Sequence, residues 1–178
     1  MPLKELREIK GGAELGIWKL TERVSELESL MSEEVATEKY KGFNHDLRRL
    51  EWLGARALMS KMGLKKTLQY TEHGKPFYPS GPKISISHSK DFIAIITHPE
   101  NEVGIDVQEV VDKVRRIKHK FCNAHELDWA TSDEDFTIIW SAKEALFKVK
   151  ERNVLFKEDI QVSRPENGQL HITYKESQ

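Results

Sequence analysis

Apolar residues change their spacing twice along the chain, and each change predicts a change of element. Over residues 15–40, Leu, Trp and Val mix with Glu, Lys and Ser at roughly helical spacing behind the breaker Gly11-Gly12, which predicts a first helix. Residues 46–62 place Leu47, Leu50, Leu53, Ala57, Leu58 and Met59 on one face of a second helix, closed by Gly63. Its other face carries Arg48, Arg49, Arg56 and Lys61, which read as solvated charges. From Gly74 the period falls to two. Residues 83–87 alternate as a strand, 92–96 form a more buried one, and Pro99-Glu100-Asn101 turns into 103–107, so a three-stranded antiparallel meander is expected. In its last strand Val103, Ile105 and Val107 share one face, which leaves Gly104, Asp106 and Gln108 on the other.

Helical spacing then returns. A basic run over residues 112–120 leads to Asn123-Ala124-His125-Glu126, the pattern of a capping box, in which Asn123 and Glu126 satisfy the free amides of a short helix. A further helix over residues 136–149 builds its apolar side from Ile138, Ile139, Ala142, Ala145, Leu146 and Val149, with Trp140, Glu144 and Lys148 stacked four residues apart. A strand pair over 159–162 and 170–174 closes the pattern around the turn Asn167-Gly168.

Composition narrows the function classes. The 178 residues fit one domain or two small halves sharing a core, and 38% hydrophobic with 32% charged residues is ordinary for a folded globular chain. A formal net charge of -1 argues against a dedicated nucleic-acid binder, so any cationic function is local. The chain lacks the run of roughly 18 apolar residues that a membrane span needs, and Lys4, Glu5, Arg7 and Glu8 do not read as a signal peptide, so the cytoplasm is expected. The lone Cys122 allows no intramolecular disulfide and fits a reducing compartment.

The chemistry lies in Gly104-Ile105-Asp106-Val107-Gln108 and in the segment from Trp140 to Lys148. Asp106 and Glu144, with Lys143 and Lys148, are the residue types that hold a hard divalent cation against phosphate oxygens, and Gln108 offers a neutral oxygen. The bland reading stands beside it: Asp106 as a turn former at a strand end, Glu144 and Lys148 as a surface ion pair. Lys75, before Pro76, and Ser87-His88, where a strand ends, are placed to meet a ligand or to be ordinary loop residues. His119, Cys122 and His125 lack a fourth partner for zinc, and Cys122 reads as a small buried residue. Neither dinucleotide-binding, P-loop nor nucleophile-elbow patterns occur.

Taken in order, Gly74-Lys75-Pro76, Ile86-Ser87-His88-Ser89, Gly104-Ile105-Asp106, the segment from Phe121 to Glu126, and Trp140-Ser141-Ala142-Lys143-Glu144 with Lys148 resemble the 4'-phosphopantetheinyl transferase superfamily, in its surfactin-type, single-chain branch. The resemblance implies an α+β fold of two similar halves, residues 1–101 and 102–178, with antiparallel sheets related by a pseudo-twofold axis. It implies a cytoplasmic monomer that transfers the phosphopantetheine arm of coenzyme A to a serine of an apo acyl or peptidyl carrier protein, with magnesium as cofactor. By motif position it implies Asp106, Glu144 and the neutral Gln108 as magnesium ligands, and Glu144 and Lys148 as catalytic groups. Lys39, Lys75, Ser87, His88, Asp106, Glu144 and Lys148 would contact coenzyme A, and Arg56 is a looser candidate. Many members carry an acid where Gln108 stands, and the family usually continues with another core strand beyond the position of Gln178, which would leave 170–174 as an exposed edge. Two other readings stay open: a non-catalytic coenzyme A or carrier-binding module, and a magnesium-dependent nuclease, which the near-neutral charge disfavours.

Overall fold

A computed structural model describes residues 2–9, 11–65, 67–151 and 154–175. They fall into two compact units, Met1–Val107 and Gln108–Gln178. In the first, β1 (Leu3–Ile9) and β2 (Ala13–Lys19) form a hairpin, and three short helices, α1 (Val24–Leu30), α2 (Ser32–Val35) and α3 (Glu38–Lys41), lead to the long α4 (Asp46–Lys61). A two-residue ladder of β3 (Gln69–Tyr70) and β4 (Pro76–Phe77) precedes β5 (Lys83–Ser89) and β6 (Phe92–His98). The main sheet has the order β1-β2-β6-β5 and is antiparallel throughout.

The helix expected over residues 15–40 is replaced at its start by β2, and helix begins only at Val24. As a central strand paired on both sides, β2 buries Leu15, Gly16 and Trp18 without clean alternation, so its apolar spacing imitates a helix. Gly11 and Gly12 form the hairpin turn, not a helix breaker, and the Gly12 N–H donates to the Ile9 carbonyl at 3.2 Å. Helix α4 ends as expected, and two glycines set how closely it lies on the sheet. A Cβ on Gly16 would stand 2.7 Å from Met62 Sδ, and one on Gly54 would stand 2.7 Å from Ile93 Cδ1. This approach seals Leu53, Leu58 and Met59 against Ile93, Ile95 and Leu27, all fully buried, and each side chain contributes roughly 1.5–3 kcal/mol.

The expected meander reaches only its second strand. The free side of β6 is taken by β2, and residues 103–107 belong to no strand. Side chains hold this segment instead: Ser85 Oγ accepts the Ile105 N–H at 3.1 Å, and Ser87 Oγ accepts the Val107 N–H at 3.2 Å. These bonds tie 103–107 to β5, within the first compact unit.

The second unit runs through α5 (Lys113–Arg116), a 3-10 turn (Lys118–Lys120), α6 (Ala124–Trp129), α7 (Asp133–Lys150), β7 (Ile160–Val162) and β8 (Ile172–Tyr174). The expected capping box is present: Asn123 Oδ1 accepts the Glu126 N–H at 3.0 Å, and Glu126 Oε2 accepts the Asn123 N–H at 2.9 Å. Ser132 and Asp135 repeat the device on α7, which therefore starts ahead of the expected Phe136. The Thr131 amide, with that of Ser132, holds the Asp135 carboxyl below its ordinary range. β7 and β8 pair around Asn167 and Gly168, whose φ values of 51° and 74° are those a two-residue turn of the I′ type requires. Phe121, Phe136, Ile139, Ile160 and Val162 form the core of this unit. Among the described residues no helix is long and apolar enough to cross a membrane.

Candidate functional site

Within the first unit, α3, α4, β5 and the β3–β4 turn surround a cavity of about 310 Å³. Its walls combine basic side chains with aromatic rings: Lys39, Arg48, Arg56 and His88 around Phe43, Trp52 and Tyr70. Arg56, read from spacing as solvent-facing, is only 4% exposed, and its guanidinium carbon sits 3.1 Å from the centre of the Trp52 ring. Arg56 donates from Nη2 to the Tyr70 hydroxyl at 3.2 Å. Its Nε is buried without a hydrogen bond, because the Glu34 carboxylate, at 3.8 Å, is close enough to attract it but too far to accept. Lys39 lies 3.7 Å from the centre of the Tyr70 ring. A buried guanidinium with an unsatisfied donor, beside further basic groups and aromatic rings, suits an anionic ligand with a flat base.

Of the residues implied by resemblance, Lys39 and His88 line this cavity. Lys75 stands at the β4 edge, where Nζ donates to Glu102 Oε2 at 2.9 Å. Glu102 also receives Lys83 at 3.0 Å, and the two lysines lower its pKa. Ser87 is buried beneath the 103–107 segment and donates from Oγ to Asp106 Oδ1 at 3.0 Å, while accepting the Val107 N–H. Ser87 thus orients the carboxylate of Asp106, which is itself half-buried.

In the second unit Glu144 and Lys148 lie four residues apart on α7, both half-buried. Gln108 is exposed and borders a groove of about 220 Å³ with Val111, Lys113, Ile117, Thr137 and Trp140. The basic run before α6 is partly neutralised, since Arg115 pairs with Asp133 at 2.7 Å and Arg116 pairs with Asp112. Lys143, which the sequence grouped with the phosphate-facing cations, is a core residue. It is fully buried, and Nζ donates to Glu126 Oε2, to the carbonyls of Phe121 and Phe156, each at 2.7 Å, and to that of Ile160 at 3.0 Å. Burial lowers its pKa and the Glu126 carboxylate pushes back.

Helical phase carried the signal for this: Lys143 follows Phe136 by seven residues and Ile139 by four, and so falls on the apolar stripe. Glu51, Trp52 and Tyr70 also escaped the motif reading, because a cavity assembled from α3, α4 and a distant turn has no local spacing. Among the described residues no three His, Cys, Asp or Glu side chains gather to hold a metal ion, so His119, Cys122 and His125 form no such site. Cys122 is buried, and burial with the Glu126 charge pushes its thiol up to about 12.

A magnesium ion asks for less than such a cluster. It takes oxygen ligands, keeps several waters, and is held by one or two carboxylates plus substrate phosphates. Asp106, anchored through one oxygen by Ser87, and Glu144, on a long helix, are donors of that kind.

Residues 102–178 match the model of the 4'-phosphopantetheinyl transferase superfamily. The chain is also similar to curated proteins. It is 35% identical over 114 residues to the 4'-phosphopantetheinyl transferase AcpT of Escherichia coli (strain K12), a match covering 57% of each chain. It is 30% identical over 115 residues to the AcpT of Salmonella typhimurium, covering 57% of this chain and 59% of that one. The match thus spans under three fifths of the length of these relatives.

Proposed function

We propose that the protein, whose residues 102–178 match the model of the 4'-phosphopantetheinyl transferase superfamily, transfers the phosphopantetheine arm of coenzyme A to a serine of an apo carrier protein. The observation that carries this reading is the cavity in which Arg56, Lys39, Arg48 and His88 surround Trp52 and Tyr70. It offers rings for a nucleotide base and cations for its phosphates. Lys75 adds a further cation to the nucleotide end.

The reaction is a phosphoryl substitution. The serine hydroxyl loses a proton and bonds to the phosphorus that bears the pantetheine arm, the bond to the bridging oxygen breaks, and adenosine 3',5'-bisphosphate leaves. Lys148 stabilises the negative charge that grows on the phosphates. Glu144 is the acceptor for the hydroxyl proton, a contribution typically worth ~10²- to 10⁴-fold in rate. Asp106 and Glu144 would hold magnesium, with Gln108 as a neutral third ligand or water holder; the bound ion would supply charge stabilisation at the diphosphate. Ser87 positions Asp106 for that task.

The same reading carries the finer expectations: a surfactin-type member with two related halves, monomeric and cytoplasmic. The test is direct. Incubation with coenzyme A, magnesium and a panel of apo carriers adds the arm to a carrier, seen by intact mass. D106A and E144Q abolish the gain while circular dichroism is unchanged. Binding of coenzyme A without transfer to any carrier would favour the binding-module reading instead, and chelation of magnesium stops transfer if the carboxylates act as assigned.

A further inference from the structure

An acidic side chain stands inside the cationic cavity. Glu51 lines it from α4, and its side chain is only 10% exposed. Its two oxygens go to different basic side chains: Oε2 accepts from Arg48 Nη1 at 2.9 Å, and Oε1 meets His88 Nδ1 at 3.0 Å. Arg48 and His88 are themselves 60% and 42% exposed. Each therefore spends one nitrogen on Glu51 and keeps others, His88 Nε2 among them, on its open side. A carboxylate in an anion site would ordinarily repel the ligand. Here Lys39, Arg48 and Arg56 outnumber it even with His88 neutral, so the cavity stays positive. What Glu51 adds is geometry: a rigid helix residue that fixes the orientation of one imidazole ring and one arginine rotamer at a set spacing.

We propose that Glu51 is a positioning residue for a phosphate monoester, clamping Arg48 and His88 so that the open side of the Arg48 guanidinium and, in the imidazolium form, the Nε2–H of His88 converge on one phosphate. The proposal rests on the coenzyme A reading and deepens it, since the ribose phosphate of coenzyme A is such a monoester and dephospho-coenzyme A lacks it. Without the clamp two exposed side chains would have to be ordered by the ligand itself, and affinity falls by the cost of that ordering.

Calorimetric titration of the full chain with coenzyme A and with dephospho-coenzyme A tests it. The wild type binds coenzyme A more tightly; E51Q weakens coenzyme A by about tenfold, the scale of one lost charge-assisted hydrogen bond, and leaves dephospho-coenzyme A unchanged. E51A gives the same pattern, thermal melting confirms that both variants fold, and in transfer assays KM for coenzyme A rises while kcat holds. Equal weakening of both ligands would make Glu51 a packing residue and overturn the proposal, and so would tighter coenzyme A binding by E51Q, which would make the carboxylate a mere competitor. A wild type that binds both ligands equally removes the monoester role but leaves the coenzyme A reading standing; one that binds neither removes both.

Discussion

Two lysines from the sequence motifs, one in each unit, each meet a glutamate, and their surroundings set them apart. Lys75 reaches Glu102 at 2.9 Å near the surface, with Glu102 44% exposed and shared with Lys83. Lys143 reaches Glu126 at 2.7 Å with both side chains fully buried, and three backbone carbonyls complete its shell. Water reaches Glu102 and screens the first pair, although Lys75 itself is only 17% exposed. Nothing replaces Glu126 for Lys143, so that lysine binds the start of α6, the middle of α7 and β7 into one core. A motif lysine is therefore not a ligand contact until its burial is known.

The strongest way to break this contrast is K143M. It leaves Glu126 as an uncompensated buried charge, and urea denaturation should show a loss of about 3–5 kcal/mol. If the loss is under about 1 kcal/mol, the pair is not the centre of the second unit. Next in size is the coupling between the partners. K143M/E126Q should be more stable than the sum of the single variants by roughly 0.5–3 kcal/mol, because the neutral amide no longer needs a counter-ion. Some loss persists, since Glu126 Oε1 also accepts the Val162 N–H at 2.8 Å.

A smaller effect separates a carboxylate held by amides from one held by lysines near the surface. Asp135 has a folded-state pKa below its unfolded value, so the stability it adds is present above the unfolded pKa and lost as pH falls through the folded one. D135A should cost about 1 kcal/mol near neutral pH and less in acid, read from melts across that range. The smallest change belongs to Glu102. Its pKa is also lowered, so the sign is the same, but an exposed pair is screened, and E102Q should shift the melting midpoint by less than the equivalent of ~1 kcal/mol, with salt erasing the difference. A loss in E102Q as large as that in K143M would erase the distinction between the two lysines.

The legible parts of the fold were those fixed by neighbours in sequence. Asn167-Gly168 demands its turn, Asn123 and Glu126 cap each other across three residues, and Leu50, Leu53 and Leu58 repeat with the helical period. Partners distant in sequence were not legible. β2 looks helical because β1 and β6 flank it on both sides, and 103–107 alternates like a strand although the serines of β5 hold it. The site divides the same way. His88 and Lys39, which the resemblance implied as coenzyme A contacts, both line the cavity, whereas Glu51, Trp52 and Tyr70 join it only through the packing of α4 beside the β3–β4 turn.

The burial of Cys122 has a practical consequence. With one cysteine in the chain, and that thiol pushed up to about 12 and out of solvent, the native protein is silent toward maleimide reagents at neutral pH. A cysteine introduced at exposed Gln108 would then take a fluorophore or spin probe alone, giving a reporter on the first residue of the second unit without any need to strip the background. Labelling of Cys122 itself would mark the moment the α6–α7 core opens.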